Sequence, residues 1–333
     1  MSWLRLLTQA TVLVALVSWP LAAEDRVVVR GRRPEERVQK RGEIVDWIAG
    51  QLRLRGALDR EESIPSERIL EVDSSWSEAE QTARRLQREQ KLDEAITAFY
   101  AAKAEESRPW AARRISAYLS VALLESGQAH LAGDEFLTIS TVDPATHLFD
   151  AIPLAWRNGR VDGLTLAKAR GWLGQDSATA RLLGASWLLS TELQPQAIAE
   201  LERLRTNADR RIAAAAEIQL WRTRIVTVKP DEIARWQSAA GKVPSELRGV
   251  AWFQIGEALA RQGQAEEAAL AYLQTALRYG RQRAMAADAL VAAAGQLEKL
   301  KRTDEATGLY REVVRDYPAT SAAEAARGRL AKP

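Results

Sequence analysis

The chain has 333 residues, 47% of them hydrophobic, with 47 basic against 44 acidic side chains, a net charge of +3 and no cysteine. That hydrophobic share excludes a disordered chain, the near-balance of charge excludes general attraction to nucleic acid, and the missing thiols exclude disulfides and thiolate metal sites. Ala, Leu, Glu, Arg and Gln are abundant, which favours helix.

Residues 1–23 have the pattern of an export signal. Arg5 precedes the mostly apolar run Leu6–Leu21, and Ala22-Ala23 supplies small residues for cleavage. The run is shorter than the roughly 20 apolar residues of a membrane span, and Pro20 lies near its end. Cleavage is expected after Ala23, no span is expected after it, and the expected location is the periplasm or envelope. Losing residues 1–23 removes one charge, Arg5, so 46 basic and 44 acidic residues leave +2.

Residues 24–73 read as a small β domain. Short runs rich in β-branched residues, Asp25–Arg30, Arg37–Trp47, Gln51–Arg55, Glu61–Ile64 and Ile69–Val72, are separated by Gly31, Gly42, Gly50, Gly56 and Pro65. Pro65-Ser66-Glu67-Arg68 is expected to form one tight helical turn. Five short strands predict a strongly bent sheet or barrel, and the layout resembles SH3-like and Sm-like barrels. The basic cluster Arg30-Gly31-Arg32-Arg33 with Lys40-Arg41 admits contact with an anionic polymer or a solvated hairpin. The interleaved Glu35 and Glu36 favour the hairpin.

From Ser75 onward the apolar spacing is helical. One spacing recurs: Ala132-x3-Phe136-x7-Pro144, Ala306-x3-Tyr310-x7-Pro318 and Ala268-x3-Tyr272-x7-Gly280. Ala83, Leu86, Ala95, Phe99 and Ala102 predict an earlier helical pair joined near Gln90-Lys91. Weaker patterns over Ala178–Leu189, Ala197–Leu204, Ile212–Ile225 and Asp231–Ala240 predict degenerate pairs. Trp156, Trp172, Trp187, Trp221 and Trp236 are expected in the core. Asp150–Pro153 reads as a turn or linker that interrupts the stack. Proteolysis is expected to begin there or at Ser74-Ser75. Ser321–Ala331 predicts a helix covering the open end.

The set Trp252-x2-Ile255-Gly256-x2-Leu259, Ala268, Tyr272, Gly280 resembles the tetratricopeptide repeat, W-x2-L-G-x2-Y followed by A-x3-F and P. It departs from it by Ile for Leu, Leu for Tyr and Gly for Pro. The resemblance covers Trp76–Pro144 and Gly249–Pro318. It implies a mostly α solenoid after the β domain, with the division 1–23 signal, 24–73 β domain, 74–149 first repeats, 150–248 degenerate repeats and 249–333 C-terminal repeats with a capping helix.

Chemistry is sparse. Only His130 and His147 are present; a zinc site would need both with carboxylates, and both are expected at the surface. No phosphate loop occurs, and Gly184-Ala185-Ser186-Trp187-Leu188 lacks the last glycine of a nucleophile elbow. No catalytic, metal or cofactor residue is assigned. The resemblance implies a non-enzymatic exported scaffold or adaptor that binds a protein or peptide, with no nucleic acid expected. On the first helix of the best repeat, Phe253, Glu257 and Arg261 lie four apart on one face and are the candidate partner contacts. An alternative is a β domain that binds an anionic polymer, nucleic acid or cell-wall glycan, with the array as spacer. Partner identity and oligomeric state are not legible.

Overall fold

The computed structural model describes residues 24–33, 35–278 and 283–331. The expected signal segment and Gly280 lie outside the described residues. The N-terminal part is one antiparallel sheet, β1 Asp25–Arg30, β2 Arg37–Ile48, β3 Gln51–Arg55, β4 Glu61–Pro65 and β5 Ile69–Asp73, in the order β4-β3-β2-β1-β5. The long β2 serves both halves. Arg37–Gly42 pairs with β1 and Glu43–Ile48 with β3. Gly42 marks the change, because a Cβ there would lie 2.2 Å from the Arg55 carbonyl oxygen. The expected tight turn is the 3-10 turn Ser66–Arg68.

Fourteen α-helices follow among the described residues: α1 Glu78–Arg88, α2 Leu92–Glu105, α3 Pro109–Glu125, α4 Ala129–Val142, α5 Gly163–Leu173, α6 Ala178–Leu188, α7 Gln194–Leu204, α8 Arg210–Arg224, α9 Pro230–Ala240, α10 Arg248–Arg261, α11 Ala265–Leu273, α12 Arg283–Lys299, α13 Thr303–Asp316 and α14 Ser321–Leu330. The periodicity predicts all of them except α5.

Four helical hairpins share one turn. Gln90, Gly127, Gly263 and Lys301 all take left-handed φ, from 59° to 82°. The next residue's N–H in each returns to a leucine carbonyl five positions back: Lys91 to Leu86, Gln128 to Leu123, Gln264 to Leu259 and Arg302 to Leu297. This closes the first helix as a Schellman-type cap does. Four residues after that donor stands Ala95, Ala132, Ala268 or Ala306, each at most 1% exposed, and four further on Phe99, Phe136, Tyr272 or Tyr310, all buried. The alanines are small because the paired helices approach closely. Opposite, a Cβ at Gly256 would meet the Tyr272 ring at 2.8 Å.

The β domain is seated on the array. Trp110 and Ala111 of α3 share one apolar cluster with Val27, Val29, Ile44 and Leu54. Arg113 of α3 donates to the Trp47 carbonyl at 3.0 Å and pairs with Asp46.

The stretch between α4 and α5 contains the expected turn, the 3-10 turn Phe149–Ala151, and is otherwise non-helical. It differs from an exposed linker in being buried. Phe149, Ile152, Leu154 and Trp156 are buried within the largest apolar cluster of the chain. His147, expected at the surface, stacks on Trp47 with ring centroids 3.6 Å apart. Trp156, expected in the core, is buried there without being helical.

Candidate functional site

Between α4 and α5 the chain makes turns, among them the 3-10 turn Phe149–Ala151, and is non-helical from Ile152 to Arg160, so several of its backbone carbonyls need partners from elsewhere. Side chains from alternate helices supply them. Arg211 of α8 holds the Pro144 carbonyl at 3.1 Å and also reaches that of Thr146. Ser120 of α3 donates to the Ala151 carbonyl and Trp187 Nε1 of α6 to that of Pro153 at 2.9 Å. Ser186 Oγ accepts the Ala155 N–H at 2.8 Å, and Gln219 of α8 donates to the Ala155 carbonyl at 3.0 Å. Gln254 of α10 donates to the Trp156 carbonyl at 2.7 Å. Arg157 pairs with Asp288 of α12 at 2.8 Å. One face of α3, α6, α8, α10 and α12 therefore holds a segment of the same chain that is turned over 143–151 and non-helical over 152–158.

Arg222 of α8 is the centre of this grip. Its Nη1 donates to the Ala155 carbonyl at 2.6 Å and its Nη2 to the Arg157 carbonyl at 2.9 Å and Asn158 Oδ1 at 3.0 Å. It is 3% exposed, and its hydrogen-bond partners among the described residues include no carboxylate. Burial pushes its pKa down to about 10, which leaves it charged at neutral pH. Carbonyl dipoles take the place of a counter-ion. The four apolar side chains that the segment buries contribute roughly 1.5–3 kcal/mol each as an upper estimate.

The predicted contact residues divide. Phe253 is 2% exposed and meets Tyr272 edge-to-face at 5.7 Å, so its ring is an interior part with no surface to offer. Glu257 accepts a 2.7 Å hydrogen bond from the Tyr272 hydroxyl, whose pKa burial and this carboxylate push upward. Arg261 is exposed at the end of α10. The segment-holding residues Ser120, Ser186, Gln219, Arg222 and Gln254 escaped sequence reasoning. Their signal was a polar residue inside an apolar stripe, as Gln254 is between Phe253 and Ile255.

The first hairpin presents a second feature, an open groove of about 660 Å³ along α1. Glu78 and Glu80 line it from the first turn of α1, Arg85 and Arg88 from the last and Arg84 between them, and Asp73 and Trp76 line it from the chain before α1. Behind it stand Arg114 and Tyr118 of α3. Arg84 lies 5.2 Å from the Tyr118 ring centroid, and Arg114 lies 5.2 Å from that of Trp76. Glu80 is 1% exposed. Its Oε1 accepts only a 3.5 Å bond from Arg84, and its buried Oε2 has no hydrogen-bond partner among the described residues. Burial pushes this carboxyl above its ordinary range, outweighing the opposing pull of Arg84 and Arg114.

Among the described residues no three His, Asp or Glu side chains come together as a metal site, and no helix is long and apolar enough to cross a membrane. No family model matches the chain, and no curated protein matches it.

Proposed function

We propose that this chain is an exported, non-enzymatic scaffold: a tetratricopeptide-like array behind an SH3-like β domain, binding an extended segment of a partner protein along its inner face. The observation that carries this reading is the segment 143–158, which is turned over 143–151 and non-helical over 152–158. One face of the helices holds it by side-chain grips on backbone carbonyls and by apolar pockets. Peptide recognition by repeat proteins uses the same means. The segment occupies that face from α3 to α12, and the groove along α1 leaves the start of it open.

Four equal hairpin turns support the repeat assignment. The strand order, the shared long β2 and the 3-10 turn before β5 support the SH3-like assignment. Export rests on the pattern in residues 1–23. On the sheet Lys40 pairs with Glu62 at 2.6 Å, Arg26 with Glu71 and Asp73, and Arg55 with Glu43 and Glu61, whereas Arg30, Arg32, Arg33 and Arg41 have no ion-pair partner among the described residues. Residues 24–73 carry 11 basic against 12 acidic side chains, and that balance weighs against general attraction of an anionic polymer.

The test is site-specific photo-crosslinking in envelope extract. A crosslinker at Thr82, in the groove, should give discrete protein adducts, and one at the exposed Leu270 of α11 should not. Adducts from Leu270 alone, or none from either site, would refute the reading.

A further inference from the structure

The groove along α1 has a charge pattern that selects among extended ligands. Three guanidinium groups, Arg84, Arg88 and Arg114, act on the single carboxylate of Glu80. Arg85 pairs with Glu89 at 3.0 Å and Asp73 with Arg26 at 3.1 Å, so neither balances that surplus. Arg88 is exposed and has no ion-pair partner among the described residues. Glu80 is a weak counter-charge, since its Oε2 is buried without a hydrogen-bond partner and burial favours its neutral form. Trp76 also lines the groove, its ring flanked by Arg108 and Arg114. Arginine beside aromatic rings is the composition of strong interface contacts.

We infer that this groove binds an acidic, extended segment of a partner protein, its carboxylates on Arg84 and Arg88, with the charge of Arg114 behind them, and an apolar side chain beside Trp76. The inference rests on the scaffold reading and adds the chemistry of the ligand. Planar guanidinium forks match carboxylates in paired geometry. The far end of the groove decides between a peptide and a polyanion. Glu78, exposed in the first turn of α1, lies there and repels a polymer that carries charge on every unit. A peptide can place its acidic residues at the arginine end alone.

The test is fluorescence anisotropy with the purified protein and a labelled peptide in which glutamates alternate with leucines. The same peptide with glutamines and a labelled oligothymidylate are the comparisons. The glutamate peptide should bind at least roughly tenfold tighter than the glutamine peptide, and its affinity should fall with added salt. Arg88→Glu, on an exposed side chain, should weaken it roughly tenfold. Glu80→Gln should tighten it, because it removes the one carboxylate the arginines share. A purely structural role for Glu80 does not produce a gain. Thermal melts of both variants separate lost binding from lost folding.

Equal binding of the two peptides would overturn the acidic preference and leave the scaffold reading standing. Tighter binding of the oligothymidylate would overturn the peptide assignment. Binding that is indifferent to both Arg88→Glu and Glu80→Gln would remove the site from this groove. Absence of crosslinks at Thr82, measured separately, is what removes the scaffold reading itself.

Discussion

Arg222 and Ala155 are 67 positions apart in the chain, and a hydrogen bond of 2.6 Å joins the guanidinium of one to the carbonyl of the other. The same guanidinium holds Arg157 and Asn158, so one buried charge on α8 fixes the end of a segment that crosses several helices. A charge buried without a carboxylate is stable only while its hydrogen-bond partners stay in place. The segment and the helices it crosses are therefore expected to unfold together.

Arg222→Leu should lower stability by about 1–3 kcal/mol, because it removes the donor to the Arg157 carbonyl and Asn158 Oδ1 and one donor to the Ala155 carbonyl, which keeps Gln219. Arg222→Lys should restore part of the loss by keeping a charge and donors. Urea unfolding of the three proteins measures both. A loss below about 0.5 kcal/mol for the leucine variant, the size of an ordinary surface change, would show that the grip carries little energy.

Limited proteolysis separates an exposed linker from a buried segment. Thermolysin should leave the bonds around Phe149, Ile152 and Leu154 intact in the folded protein, since these side chains are buried. Trypsin should cut early after Arg160, which lies in the exposed stretch before α5. Ser74, the other place where cleavage was expected from the sequence, is tied to Asp25 and to Arg108, the latter at 2.7 Å. Early thermolysin fragments ending within 144–156 would contradict the buried segment.

Glycine positions on α5 and α6 report their contact. A Cβ at Gly184 would lie 2.6 Å from the Ala169 carbonyl oxygen and 2.6 Å from the Leu173 nitrogen, both backbone atoms that cannot move aside alone. Gly184→Ala should cost about 1–3 kcal/mol. Gly171 faces open space. Gly171→Ala should stabilise by up to about 1 kcal/mol through helix propensity. Calorimetric melting points in the opposite order would exclude this crossing.

His147 gives the fold a pH dependence. Burial, with Arg114, Arg113 and Arg211 nearby, pushes its pKa down to about 3 from an ordinary value of 6.5. The unfolded chain takes up the proton and the folded chain resists it. Stability is therefore full above pH 6.5 and falls as pH drops toward 3, with a slope of at most about 1.4 kcal/mol per pH unit from this group. His147→Phe keeps a ring on Trp47 and should flatten that slope. An unchanged pH profile of urea midpoints between 3 and 6.5 would show that His147 does not carry it.

The sequence by itself determined the strands and hairpins, because their information is local. A left-handed turn residue, an alanine five positions on and an aromatic four further are enough to specify where a helix stops, where two helices touch and what fills the next groove. It also placed Phe253 and Glu257 on one helix, but periodicity cannot distinguish an aromatic ring that faces a partner from one that faces Tyr272. Only the tertiary structure decided that, and only it decided the course of residues 143–158. The apolar side chains there could ask for burial. The partners of its backbone, Ser120, Ser186, Gln219, Arg222 and Gln254, stand 31 to 98 positions away on separate helices. No spacing within the segment records them; they become neighbours only once the helices have stacked.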